Sequence, residues 1–328
     1  MVNRFRILGL AFALMVASAT QAQSNGASVA YPARPIHWIL PGAPGSPPDV
    51  AARILGEGLA RELGQPVIVE NRPGASGTIA LGAVAKSAPD GYTLGLFSVP
   101  LMAAPSIFPA LPYDTLHDFV PVTQFVQTRF LLAVRAEAPL HSVAELVATA
   151  KANPGRLTFS SPGSGSVPHL AAELLRLRAG IDIRHIPYKS GPFALTALLG
   201  GQVDMVFAPP STLSAHIKSG KLRALATLAP SRLAGYSDVP TMAQAGFPGI
   251  EMGDWFSIAA PAGTPRSIVD RLSAAVRKVL AKSEASERLT VAGFGPVLDS
   301  SPDRLAMLVQ SELKRWATVV REAGIHAD

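Results

Sequence analysis

Apolar residues along this chain fall into short unbroken runs that alternate with stretches of helical spacing, the pattern of strands and helices taken in turn. Ile36 to Leu40 reads as the first strand, followed by a proline- and glycine-rich loop, Pro41 to Asp49. A helix is predicted from Asp49 as its N-cap, with Ala52, Leu55, Leu59 and Leu63 on one face and Gly64 to end it. Val67 to Val69 is a β-branched run that reads as a short, fully buried strand, and Asn71 to Gly74 break it. Apolar residues resume helical spacing from Ile79 to about Lys86, and Pro89-Asp90-Gly91 turns the chain into a strand, Tyr92 to Phe97, with Ser98 at its end.

Beyond Phe108 the chain is punctuated by prolines up to Pro121, and Val122 to Val134 reads as one apolar, strand-like stretch. Ser142 and Glu145 make a capping box for a helix to about Lys151. Leu157 to Phe159 predicts a strand, Ser160 to Ser166 a loop rich in hydroxyls and glycine, and His169 to Leu177 a helix. The later half repeats the pattern: helix Phe193 to Leu199, strand Val203 to Phe207, helix Leu213 to Lys218, strand Leu222 to Leu228. Thr264-Pro265 and Ser301-Pro302 open two more helices with apolar stripes. Such alternation predicts an α/β fold with parallel sheets, whose ligands collect at the carboxyl ends of the strands.

Three strand-to-helix junctions share one chemistry: Pro41 to Asp49, Asn71 to Thr78 and Ser160 to Ser166. A helix N-terminus presents unpaired N–H groups and a positive dipole end, so each junction favours an anion without a charged side chain. A plain connecting loop is the alternative for any one of them. Two junctions early in the chain and one after residue 155 suggest two lobes facing each other across a cleft.

Composition narrows the rest. The 328 residues, 48% of them hydrophobic, suffice for two domains with real cores. Asn3-Arg4-Phe5-Arg6, the apolar Ile7 to Val16 and small residues at Ala17, Ala19 and Ala22 read as a secretory signal over residues 1–22. That apolar run is too short to span a bilayer, so a soluble, exported mature chain without a membrane span is expected. The absence of cysteine removes thiolate metal sites and cysteine nucleophiles. The net charge of +6 becomes +4 once Arg4 and Arg6 leave (27 basic against 23 acidic), and no basic-aromatic interleaving suggests nucleic acid.

Motifs for covalent chemistry fail individually. Gly-x-Ser-x-Gly is missing, since Thr78 follows Ser76 where glycine is required and Pro162 precedes Ser164. Gly220-Lys221 lacks the rest of a phosphate-binding loop, and Gly163 and Gly165 lack the third glycine of a dinucleotide fingerprint. His169 and Glu173 stand one helical turn apart without a third metal ligand, so a helix-face hydrogen bond or an exposed pair is the default reading. No cofactor and no catalytic residue are expected.

YPARPIHWILPGAPGSPPD, ENRPGASG with APDGYTL, SSPGSGSVPHLAAELL, IPYKSG, GGQVD, IKSGKLRALA, VPTMAQAGFPG and the PAGTP helix start together resemble the Bug family, the extracytoplasmic solute receptors of tripartite tricarboxylate transporters. The resemblance implies a periplasmic-binding-protein-like fold of two α/β lobes, residues 31–129 with 248–328 and residues 130–247, joined by a strand hinge. It implies a periplasmic monomer that is no enzyme, holds a small carboxylate in the cleft and delivers it to the transporter's membrane subunits. Carried over by position, the site comprises Ala43, Gly45, Ser46, Ser76, Gly77, Thr78, Ser98, Ser161, Gly163, Gly165 and Ser166, with Asp49 and His169 as matching positions weighed as structural. A secreted hydrolase or other enzyme acting on a small carboxylate is the competing class.

The chain departs from that family at Gly42, where an aromatic residue is usual, and at Ala197 and Ala208, which are often acidic in relatives. Ala208 is therefore counted with the site. If these positions face the cleft, loss of the acids predicts a ligand without an amino group, because a buried ammonium without a partner is costly; the alternative is that both alanines lie outside the pocket and pack against neighbouring helices. Gly42 predicts room for a bulkier one.

Overall fold

A computed structural model describes residues 31–74, 77–108 and 110–326. The signal read over residues 1–22 lies outside them. The chain divides into a short segment, Met1–Ala33, and one body, Arg34–Asp328, which contains every element named below.

Strand β1 (Ile36–Leu40) leads into α1 (Pro47–Leu63), β2 (Val67–Asn71), α2 (Thr78–Ala85), β3 (Thr93–Phe97), α3 (Val99–Ile107) and β4 (Phe119–Gln127). Then come β5 (Leu131–Arg135), α4 (Val143–Ala152), β6 (Thr158–Ser161), α5 (Val167–Ala179), β7 (Arg184–Pro187), α6 (Gly191–Leu199), β8 (Met205–Ala208), α7 (Pro210–Lys218) and β9 (Leu222–Thr227). The chain closes with β10 (Trp255–Pro261), α8 (Arg266–Ala281), α9 (Ser283–Val291), β11 (Gly295–Pro296) and α10 (Pro302–Ala323).

The strands form two sheets, one in the order β11-β4-β10-β3-β1-β2 and the other β7-β6-β8-β5-β9. Parallel neighbours are β2, β1 and β3 in the first and β7, β6 and β8 in the second, while β10 and β5 run antiparallel beside them. The chain crosses from the first sheet to the second between β4 and β5 and returns between β9 and β10. The two crossings are tied together, with Leu228 N–H donating to Phe130 O (2.9 Å) and Thr128 N–H to Asp254 O (2.7 Å).

Inner strands carry the core. In β1, Ile36, Trp38 and Leu40 are fully buried; the Trp38 ring meets Phe125 edge to face at 5.4 Å, and its Nε1 donates to Gly95 O at 3.1 Å. Burying such a side chain contributes roughly 1.5–3 kcal/mol. In β5 alternate residues serve two clusters: Leu132 and Val134 join the larger, with Phe97, Phe159 and Trp316, while Leu131 and Ala133 join the smaller, with Leu195, Val206 and Leu213. Period-two alternation lets one strand close two layers.

Several local expectations are corrected. The α1 N-cap is Ser46, and Asp49 lies inside the helix's first turn. β2 is an edge strand rather than a fully buried one, with Ile68 41% exposed. Val122 to Val134 is two strands in two sheets, because the link after Gln127 is the crossing itself. The helix α3 and the strand β10 had no counterpart in the sequence reading. Gly42 opens no gap, since a Cβ there would collide with Ser46 Oγ and come within 2.7 Å of Pro48 Cγ.

Candidate functional site

The carboxyl ends of β1, β2 and β3 lie along one edge of the first sheet, and the loops after them carry the first group of predicted residues. Ala43 and Gly45 are exposed, and Ser46 N–H donates to Ala43 O (3.0 Å) to turn the loop into α1. Asp49 holds this loop from behind. Its carboxylate accepts from Gly45 N–H, Asn71 Nδ2 and Arg53 Nε, each at 2.9 Å, and Asn71 Nδ2 reaches Gly42 O at 2.9 Å. Burial alone pushes the Asp49 carboxyl up, but the hydrogen bonds from Arg53, Gly45 and Asn71 outweigh it and leave it below the usual carboxylate range.

Gly77 is the N-cap of α2 at φ 93°, and Thr78 behind it is buried. A Cβ at Gly77 would stand 2.6 Å from Pro41 Cβ and 3.1 Å from Leu101 Cδ2, so glycine is what lets this loop close on the first loop and on α3. Ser76 lies outside the described residues. Ser98 is buried at the N-cap of α3, where the Val99 N–H donates to Asp254 Oδ1 at 3.0 Å.

The second group sits on the corresponding edge of the second sheet. Ser161, fully buried, ends β6; its Oγ accepts from Gly163 N–H (3.0 Å) and lies 2.6 Å from His185 Nε2. Ser166 Oγ donates to Gly163 O (2.6 Å), and Gly165 N–H donates to His169 Nδ1 (3.0 Å). The His169 and His185 rings stack at 4.1 Å with Phe159 beyond, so an aromatic pile shapes the loop. Gly165, at φ 75°, lies so near the end of α3 that a Cβ would stand 2.9 Å from Ile107 Cδ1. One nine-residue helix therefore touches both groups of loops, at Leu101 beside Gly77 and at Ile107 beside Gly165.

His169 and Glu173 are both buried, 3.9 Å apart, and Glu173 pairs with Arg176 Nε at 2.6 Å. Burial pushes the Glu173 carboxyl up despite that arginine. Among the described residues no cluster of three His, Cys, Asp or Glu side chains is arranged to hold a metal ion. Ala208 ends β8, adjacent to β6, but it is buried and packs in the same apolar cluster as Ala197.

The serine N-caps divide into two kinds. Ser142 and Ser301, which start α4 and α10, accept from the N–H groups of Glu145 (3.1 Å) and Arg304 (3.2 Å). Ser46, Ser98, Ser166 and Ser190, which start α1, α3, α5 and α6, accept no capping hydrogen bond, and Ser46 Oγ is buried without a partner. Proline in the first turn removes a donor from each of these helices, two of them in α1, and at α3 the Val99 N–H is already taken by Asp254, so what α1 and α5 offer an anion is the remaining first-turn N–H groups and the positive dipole end. Asp254, His185 and the Asn71–Arg53 pair carry geometry that sequence reasoning missed; only the tertiary register brings them to the loops.

The model of the tripartite tricarboxylate transporter family receptor matches residues 51–325. BugT of Bordetella pertussis is 40% identical over 325 residues, 98% of this chain and 99% of that protein. The solved structure of the periplasmic binding protein BugD superposes with a TM-score of 0.79 at 32% identity, over 91% of this chain and 100% of BugD. MatC from Rhodopseudomonas palustris, solved with bound malate, gives a TM-score of 0.78 at 35% identity over 88% of this chain and 100% of its own. The two-sheet architecture thus belongs to the periplasmic-binding-protein-like α/β class.

Proposed function

Since the chain belongs to the tripartite tricarboxylate transporter receptor family, we propose that it captures a small carboxylate in the periplasm and delivers it to a membrane transporter of that type. Residues 31–129 with 248–328 act as one lobe and residues 130–247 as the other, and the receptor works as an exported monomer. Ala43, Gly45, Ser46, Gly77, Thr78 and Ser98 face the ligand from the first lobe. Ser161, Gly163, Gly165 and Ser166 hold it from the second, and Ala208, packed in the apolar cluster beneath them, is left out of the contact set.

The observation that carries this reading is the pair of uncapped serine N-termini of α1 and α5, on two loop-bearing edges that share α3. Charge-assisted hydrogen bonds contribute roughly 1.5–3 kcal/mol each, and micromolar affinity requires about 8 kcal/mol. A few loop donors with desolvation suffice, and no covalent step is needed. The relative MatC, with malate bound, supports a dicarboxylate as the first compound to try.

A thermal-shift screen of small carboxylates, followed by mass spectrometry of what co-purifies, tests the proposal. A ligand at a hundred times its Kd stabilises by about 2.7 kcal/mol, a rise in Tm of several degrees. Absence of any shift across the carboxylates, or turnover of the one that binds, contradicts it.

A further inference from the structure

Asp254 ends the returning crossing and immediately precedes β10. Its backbone is fixed on both sides, with Thr128 N–H donating to its carbonyl (2.7 Å) and its own N–H donating to Thr128 Oγ1 (3.4 Å). One carboxylate oxygen, Oδ1, accepts from the N–H groups of Val99 (3.0 Å) and Trp255 (2.9 Å). The other oxygen receives no hydrogen bond from the described residues, and the side chain is half-buried. Because β10 pairs antiparallel with β3, Phe97 opposite Ser257, and Val99 donates to Oδ1, this carboxyl stands beside Ser98 at the start of α3.

Among the described residues no cation pairs with it. The elements around it, β3, β4, β10 and α3, carry no titratable side chain. On the crossings, the Arg129 guanidinium is engaged by Gln127 Oε1 (2.8 Å), and Glu251 contributes a further acid. On α10, Arg315 donates to Glu251 O and lies 3.4 Å from Glu312 Oε1, while Glu312 adds a like charge to the surroundings of Asp254. Burial first, and Glu312 with it, push the Asp254 carboxyl up to about 7, against the lowering effect of the two N–H bonds.

We propose that Asp254 selects the ligand by charge: protonated on its unpartnered oxygen, it donates a hydrogen bond to a ligand carboxylate, so that a dicarboxylate binds together with one proton. This rests on the receptor reading above and deepens it. An ionised ligand oxygen beside the carboxyl favours its protonated form further, whereas an α-ammonium there favours the ionised form and releases a proton. The two ligand classes therefore differ in the sign of the proton count, and the dicarboxylate is the class this arrangement takes.

Titration calorimetry of malate, adipate and aspartate between about pH 6 and pH 8, in two buffers of different protonation enthalpy, reads that count. Native protein is expected to take up about one proton per malate or adipate near pH 8 and to lose up to about tenfold in affinity per pH unit above 7. Asp254→Asn keeps an acceptor for Val99 and sets an N–H donor in place of the acid proton. It is expected to bind the same compounds without proton uptake and without that pH dependence. Uptake absent in the native protein, uptake retained in the variant, or tighter binding of aspartate with proton release each overturns the proposal and leaves the receptor reading standing. If the variant does not fold, the native proton count decides alone. Failure of every carboxylate to bind overturns both.

Discussion

Asp49 stands behind the first loop and joins Gly45, Asn71 and Arg53 around one buried carboxylate. Its carboxyl titrates below the ordinary value of about 3.9, so its contribution is fully present above that pH. The contribution is lost as the pH falls through the lower folded value. Asp49→Asn leaves buried donors poorly matched, at a cost of about 1–3 kcal/mol. Its melting temperature at neutral pH should fall, and this part of the acid sensitivity should vanish. Melts from about pH 7 to pH 2.5 check both, and a variant as stable and as acid-sensitive as the native chain refutes the assignment. The same residue shows how far sequence reaches: its place beside the glycine loop was legible, but its side-chain partners Arg53 and Asn71 come from α1 and β2, so it read as a helix cap.

Among the elements, the serine-headed helices divide into structural and open ones. Ser142→Ala removes a formed cap and should cost about 1 kcal/mol in denaturant unfolding, with carboxylate affinity unchanged. Ser46→Ala removes no cap, so stability should hold within about 0.5 kcal/mol while affinity falls. The reverse pattern contradicts the division. Elements with a clear period were legible in advance: α8 and α10 bury Leu272, Val276, Leu305 and Trp316 as their stripes predicted. The helix α3, reading VPLMAAPSI, is apolar nearly all round and holds Pro100 and Pro105, so no periodicity marked it. β10, reading WFSIAAP, is buried along its whole length and lacks alternation for the same reason. Asp254 precedes that unread strand, and its bond to Val99 spans 155 residues, a distance no local pattern encodes.

For the molecule as a whole, the parallel strands of each sheet bring loops of the same chemistry to the edges of two sheets. The crossings near Thr128 and Asp254 join those sheets, and α3 touches loops from both. The α/β class was legible from alternation alone, whereas which loops share α3 followed only from the tertiary arrangement. Calorimetric titration of Ser46→Asp and Ser166→Asp with a carboxylate retained from the screen tests the central claim, that both groups of loops hold one ligand through open helix N-termini. Aspartate is a favourable N-cap, so each variant should melt at or above the native temperature. Its charge also occupies the donors meant for the ligand, and loss of about 2.7 kcal/mol corresponds to binding about 100-fold weaker. Weakened binding in both folded variants is the predicted result; native affinity in either would contradict the claim.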